Sequence, residues 1–139
     1  MPTYGETAFR KFGVKKMTVT IGEAALTAAA TTETEAIGTI PGGSTVLCCN
    51  VAVGTAFAGI TGPVTLDIGS SGDVDALIDG ATVSTAVDGM ASTRPLGIAP
   101  NKYFAVDTAL TATFLSASGN LVDCSAGSCT IDIHYIPAL

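Results

Sequence analysis

Between Ile37 and Gly80 the chain reads IGTIPGGSTVLCCNVAVGTAF, then AGIT, then GPVTLDIGSSGDVDALIDG. Two apolar runs rich in Val, Leu and Thr are broken by Gly, Pro and Ser, with Asp and Gly gathering at the far end. Branched residues in short runs between turn formers specify strands joined by tight turns. The segment holds almost no side chain suited to catalysis. It therefore points to a β domain and away from an enzyme.

The rest of the chain agrees. At 139 residues it is expected to be one domain with a core of its own. Residues 1–16 read as a polar, basic arm and 17–139 as the β domain. Met17, Val19 and Ile21 alternate with Thr18 and Thr20, which makes a first strand. Gly22 to Glu35 is ambiguous, because EAALTAAA suits a helical turn while its Thr-rich surroundings suit a strand and loose loop. Ala36–Ile40 is a short strand ended by Pro41-Gly42-Gly43-Ser44. Thr45–Phe57 is the longest apolar run, a central strand with a kink at Gly54. Val64–Ile68 follows Gly62-Pro63. Ser70–Gly80 reads as a loop with one helical turn at 74–78, 82–87 as a weak strand, and 90–100 as a long ordered loop. Tyr103–Val106 and Leu110–Leu115 are expected to pair around Asp107-Thr108, with a turn at 116–120. Ser128–Ile136 closes the chain, with Cys129, Ile131, Ile133 and Tyr135 inward and Thr130, Asp132 and His134 outward. About eight strands without amphipathic helices between them indicate an antiparallel β-sandwich, jelly-roll-like in character.

Charge narrows the partners. Only 13% of residues are charged, about half the usual share of roughly 25%. So charge-poor a surface is expected to be partly covered by other subunits. The net charge is −6, yet Arg10, Lys11, Lys15 and Lys16 fall in the first sixteen residues. From Met17 onward only Arg94 and Lys102 oppose eleven carboxylates. An acidic body speaks against nucleic acid as a partner. No run of about 20 apolar residues is present, so no membrane helix is expected. The N-terminus lacks the features of a signal peptide, so synthesis in a cytosol and reduced cysteines are expected.

Three constellations invite a chemical reading. Asp67, Asp73, Asp75 and Asp79 could ligate Ca²⁺, but apolar Ala76 and Leu77 follow where an EF-hand loop needs oxygen donors and glycine. Capping of turns is the plainer role. Cys48 and Cys49, adjacent in a strand, point to opposite faces and cannot share a metal. Cys124 and Cys129 bracket SAGS, a plausible hairpin tip where a disulfide is geometrically allowed but a cytosolic origin opposes it. A zinc site would need further ligands, with His134 the only histidine. His134 has no nucleophile motif beside it, so a solvated strand histidine is the expectation. Neither a cofactor nor a metal is called for. Glycan binding is disfavoured by the absence of Trp and the presence of only three Tyr.

The order of an apolar strand, I-P-G-G, a long Val-rich strand, T-L-D-I-G, S-S-G-D-V-D and a terminal I-D-I-H-Y-I-P resembles small β-sandwich virion proteins of tailed bacteriophages. Thr65, Asp67, Ile68, Gly69, Ser71, Gly72 and Asp73 match their T-x-D-I-G-x-S-G-D texture, and Tyr135 with Pro137 matches their ending. The similarity spans roughly 36–137 and encodes turns. Within that group the resemblance is to capsid decoration (cement) proteins. It implies a non-catalytic homotrimer on the capsid surface of the virion, made in the host cytoplasm, with the major capsid protein as partner. Tyr4, Phe9, Arg10, Lys11, Phe12, Lys15 and Lys16 are then the expected capsid-binding arm. The alternative is a receptor- or carbohydrate-binding module of a head fibre or tail.

Overall fold

A computed structural model describes residues 13–84, 102–138 and the backbone of 90–92. The described residues form nine strands. They are β1 (Lys15–Gly22), β2 (Thr32–Ile40), β3 (Ser44–Ala58), β4 (Val64–Ser70), β5 (Asp73–Thr82), β6 (Met90–Ser92), β7 (Lys102–Phe104), β8 (Thr108–Ser116) and β9 (Ala126–Ile136). Two single-turn 3-10 helices, Glu23–Ala25 and Leu121–Asp123, sit between strands.

The pairing is nested. β4 pairs with β5, β3 with β6 and β7, β2 with β8, and β1 with β9, all antiparallel. The chain is thus one long hairpin, and rolling it lays β9 along β3 and β8 along β4. Two sheets result, β1-β9-β3-β6 with β7 also on β3, and β2-β8-β4-β5. This is the two-sheet order of a jelly roll. An antiparallel β-sandwich was expected, and that is the fold.

Period-2 alternation places the core. Val51, Val53, Ile131 and Ile133 of one sheet meet Leu66, Ile68, Leu110 and Phe114 of the other, all fully buried. Each such side chain contributes about 1.5–3 kcal/mol by leaving water. Phe57 and Phe114 pack across the sandwich with ring centroids 5.3 Å apart, tilted by 46°. Gly127 lies beneath that pair at φ +151°, where a Cβ would run into the Phe57 ring.

Four local expectations are corrected. The 70–80 segment is strand β5: Ser71-Gly72 turns the chain tightly, and Ala76, Leu77 and Ile78 are buried against the sheet. Burial beside the free backbone of β4 overrides the helical preference of Ala and Leu. Nor do the strands flanking Asp107 pair with each other. β7 joins β3, whereas β8 lies between β2 and β4 in the opposite sheet. The intervening corner is fixed by Thr108 Oγ1 donating to the Val106 carbonyl (2.8 Å) and by the Asp107 carboxylate accepting the Gly42 N–H (2.7 Å). In Gly22–Glu35, left open between a helical turn and a strand with a loose loop, both occur in part: a 3-10 turn at Glu23–Ala25, then a loop, then β2 from Thr32. Of the expected 82–87 strand, Thr82 is the last residue of β5 and residues 83–84 are not in a strand, while 85–87 lie outside the described residues. Met90–Ser92 is a strand, and the remainder of the 90–100 loop lies outside the described residues.

Glu33 holds the connection between β1 and β2. Its carboxylate accepts the N–H of Thr27 (3.0 Å) and of Ala28 (2.9 Å), and the Thr27 hydroxyl (3.1 Å). Burial opposes ionisation, but these donors outweigh it and hold the Glu33 carboxyl below its usual 4.5. A depressed carboxyl stabilises the fold above its unfolded value and loses that contribution as pH falls through the folded one. Glu33→Ala is expected to cost about 1–2 kcal/mol at pH 7. Urea melts should show the difference from wild type shrinking as pH falls below that of a free glutamate. A second pair of variants tests the core. Gly127→Ala should destabilise by about 1–3 kcal/mol through overpacking. Gly54→Ala, with open space around it, should be neutral or slightly stabilising.

Candidate assembly surface

The residues expected to form the basic arm divide. Tyr4, Phe9, Arg10, Lys11 and Phe12 lie outside the described residues. Lys15 and Lys16 belong to β1, opposite Tyr135 and His134 of β9, so they point to opposite faces of the sheet. Only Lys16 is on the outer face.

That outer face is built from cross-strand rows. Lys16, His134 and Cys48 make one, then Thr18, Asp132 and Asn50, then Thr20, Thr130 and Ala52. Thr18 Oγ1 donates to Asp132 Oδ1 (2.6 Å), and the hydroxyls of Thr20 and Thr130 meet at 3.0 Å. The opposite sheet presents a similar surface, where the Thr34 and Thr113 hydroxyls lie 3.1 Å apart beside Asp67. Both faces are polar through hydroxyl groups, with few charges.

Charge collects on the edge strands. β1 carries Lys15 and Lys16, β2 carries Glu33 and Glu35, and β5 carries Asp73, Asp75 and Asp79. Of the interior strands, β3 and β8 carry none, while β4 carries Asp67 and β9 carries Asp132. Charged edges resist strand-to-strand association with other chains. Contact through the faces is what this distribution leaves open.

The acidic cluster is spread along that arrangement. Asp67 Oδ1 accepts the Gly80 N–H (2.7 Å), a structural bond across the β4–β5 pair. Asp73 lies 3.9 Å from the Lys102 ammonium. Among the described residues no three His, Cys, Asp or Glu side chains are grouped to hold a metal. Burial pushes the Asp67 carboxyl up; the Gly80 N–H pulls it down, and Asp79 and Asp75 push it up again.

The four cysteines are free. Cys124 ends the second 3-10 helix and Cys129 lies within β9, so the expected hairpin between them is not formed. Burial, with smaller contributions from Cys48 and Asp132, pushes the Cys49 thiol up to about 12, and burial pushes Cys129 to about 11. Burial likewise raises Cys124. Cys48 alone is half-buried. As expected for neighbours in a strand, Cys48 and Cys49 face opposite ways.

Sequence reasoning missed one contact. Cys48 Sγ lies 3.4 Å from His134 Nδ1. The pairing register differs on either side of Leu47, a bulge that leaves both Leu47 and Cys48 half-exposed between inward Val46 and inward Cys49. Strict alternation would have turned Cys48 into the core behind Val46. No residue pattern in the chain announces that bulge.

No protein-family model matches the chain, and no curated protein matches it in sequence. Solved structures do match in fold. A chain of the cyanophage Pam1 capsid asymmetric unit superposes with TM-score 0.65 at 17% identity, covering 91% of this chain and 86% of that one. A chain from the acid-stable capsid of Helicobacter pylori bacteriophage KHP30 gives 0.60 at 12%, covering 88% and 86%. A chain from the capsid of Ralstonia phage GP4 gives 0.53 at 14%, covering 92% and 87%. The likeness is one of fold. It extends over nearly the whole of each chain, so those chains have about this one's length.

Two measurements check this site. Native protein treated with iodoacetamide should be alkylated once per chain, at Cys48, and at all four cysteines after denaturation, as read by mass spectrometry. Asp67→Asn keeps an acceptor for Gly80 and removes a charge that burial penalises. A raised carboxyl destabilises the fold while ionised, and the penalty is relieved as pH falls through the folded value. The variant should therefore melt above wild type at pH 7, and the gap should close by the pH at which a free aspartate protonates.

Proposed function

We propose that the chain is a capsid decoration (cement) protein of a bacteriophage. It would act as a homotrimer bound to the major capsid protein at the outer surface of the head. The observation that carries this reading is the full-length likeness in fold to chains of similar size from three phage capsids. The surface supports it. Hydroxyl-rich faces without much charge lose little on desolvation when they are buried between subunits, and interface cores are depleted of charge in general. A protein that binds only the assembled shell stabilises it by mass action. Catalysis plays no part in this role.

The N-terminal residues are the proposed attachment arm. Tyr4, Phe9 and Phe12 would supply apolar anchors, and Arg10, Lys11, Lys15 and Lys16 attraction to an acidic shell.

Light scattering of the purified protein, followed by co-sedimentation with capsids assembled without it, tests the role. A trimer, or a monomer that pellets with capsids, is expected. A monomer that stays in the supernatant would overturn the reading and turn attention to glycan binding by a fibre or tail module. Alanine at Arg10, Lys11, Lys15 and Lys16 together should weaken capsid binding about tenfold and flatten its dependence on salt. Unchanged affinity and salt dependence would remove the arm from the mechanism.

A further inference from the structure

We propose that Cys48 and His134 form a clip for a thiophilic divalent cation such as Zn²⁺, with the Asn50 carboxamide as third donor. The geometry is that of a ligand pair. In a tetrahedral zinc site, with Zn–S near 2.3 Å and Zn–N near 2.0–2.1 Å, neighbouring sulfur and nitrogen donors lie about 3.6 Å apart. Cys48 Sγ and His134 Nδ1 are 3.4 Å apart. They sit opposite each other on β3 and β9, two adjacent interior strands, so the backbone sets their spacing before any ion arrives.

Asn50 is the second observation. Its Nδ2 is 3.9 Å from Cys48 Sγ, while its Oδ1 is buried with no hydrogen-bond partner. A buried acceptor without a donor is costly and calls for an explanation. A half-turn of the carboxamide would exchange its two ends, bringing the oxygen to the sulfur side as a third donor and placing Nδ2 where Oδ1 now lies.

The bulge at Leu47 is the third observation. It turns Cys48 outward onto His134, and bulges commonly re-aim a side chain at a functional position. Cys48 and His134 are both half-exposed, so an ion can reach them. No fourth protein donor joins among the described residues, and Lys16 opposite His134 opposes a cation while Asp132 opposite Asn50 favours one. The clip therefore binds more weakly than a closed four-ligand site. It leaves one coordination position for water or for a donor from a neighbouring subunit.

Co²⁺ titration of the reduced, metal-free, full-length protein is the experiment. One equivalent should produce a sulfur-to-cobalt charge-transfer band and the visible bands of a four-coordinate ion, both displaced by Zn²⁺. Cys48→Ser should abolish the charge-transfer band, and His134→Gln should weaken binding at least tenfold. Cys124→Ser should leave the titration unchanged. Circular dichroism confirms that each variant is folded. Absence of the band at saturating Co²⁺ in folded wild type would overturn the site, leaving Cys48 and His134 as a hydrogen-bonded pair. Persistence of the band in Cys48→Ser, or indifference to His134→Gln, would overturn it equally.

Discussion

The alignment of β3 with β9 is the contact on which the architecture depends. It joins residues 44–58 to residues 126–136 along almost the whole length of β9. Every other long-range pairing follows from it, because the chain up to β5 and the chain back from β5 are the two arms of one hairpin. Setting β9 on β3 also brings β1 to the far side of β9 and gives one sheet its full width. Pairings this distant in sequence must close a long loop before they contribute, so jelly rolls of this kind fold slowly. The compensation is two wide apolar faces buried against each other. Seven fully buried residues of β3 and β9 alone (Val46, Cys49, Val51, Val53, Cys129, Ile131 and Ile133) lie on that inner face.

Charge placement answers the problem that such sheets create. A sandwich has four edges, each a row of unpaired backbone groups open to another chain. Here the scarce charges lie on edge strands, with lysines on β1, glutamates on β2 and aspartates on β5, while β3 and β8 have none. Edge-to-edge growth is opposed, and the faces keep few charges, chiefly Asp132 on β9 and Asp67 on β4. A chain selected only for solubility as a monomer would put charges on its faces as well. The observed pattern suits a molecule that associates side-on in a defined way, and the proposed role on a shell demands that.

The sandwich was legible because alternation and turn chemistry are local. Pro41 to Ser44, Gly62-Pro63 and the 116–120 segment each mark a strand boundary where composition says they should. The inward and outward faces of β9 follow from period 2 alone. β5 was not legible, since Ala76, Leu77 and Ile78 in a row carry neither strict alternation nor a helical stripe. Only the neighbouring β4 decides their state. The same limit applies to β7 and β8. Tyr103–Val106 and Leu110–Leu115 on either side of Asp107-Thr108 look like a hairpin, and nothing local says that the chain crosses to the other sheet there. The basic residues were recognisable as a cluster in sequence, but a cluster in sequence is not one in space. Pairing of Lys15 with Tyr135 and Lys16 with His134 sends the two lysines to opposite faces.

The bulge at Leu47 shows how one backbone irregularity changes the chemistry available to a surface. With regular pleating, positions 46 and 48 share a face, and Val46 is buried. Cys48 would then join the core, Leu47 and Cys49 would face outward, and His134 would stand beside an inert leucine. One inserted residue exchanges those fates: Cys49 enters the core, and Cys48 meets His134. Leucine is left half-exposed, which costs some burial. A residue-level pattern cannot anticipate this exchange, because both arrangements bury one cysteine and expose the other. What distinguishes them is the register of β9 against β3, and that register is fixed on either side of the bulge by inward pairs, Val46 with Tyr135 above and Cys49 with Ile133 below. The core therefore determines the outer face. Packing on the inside obliges the strand to accommodate an extra residue, and the side chain displaced outward is the one thiol that a solvent-borne ligand can reach.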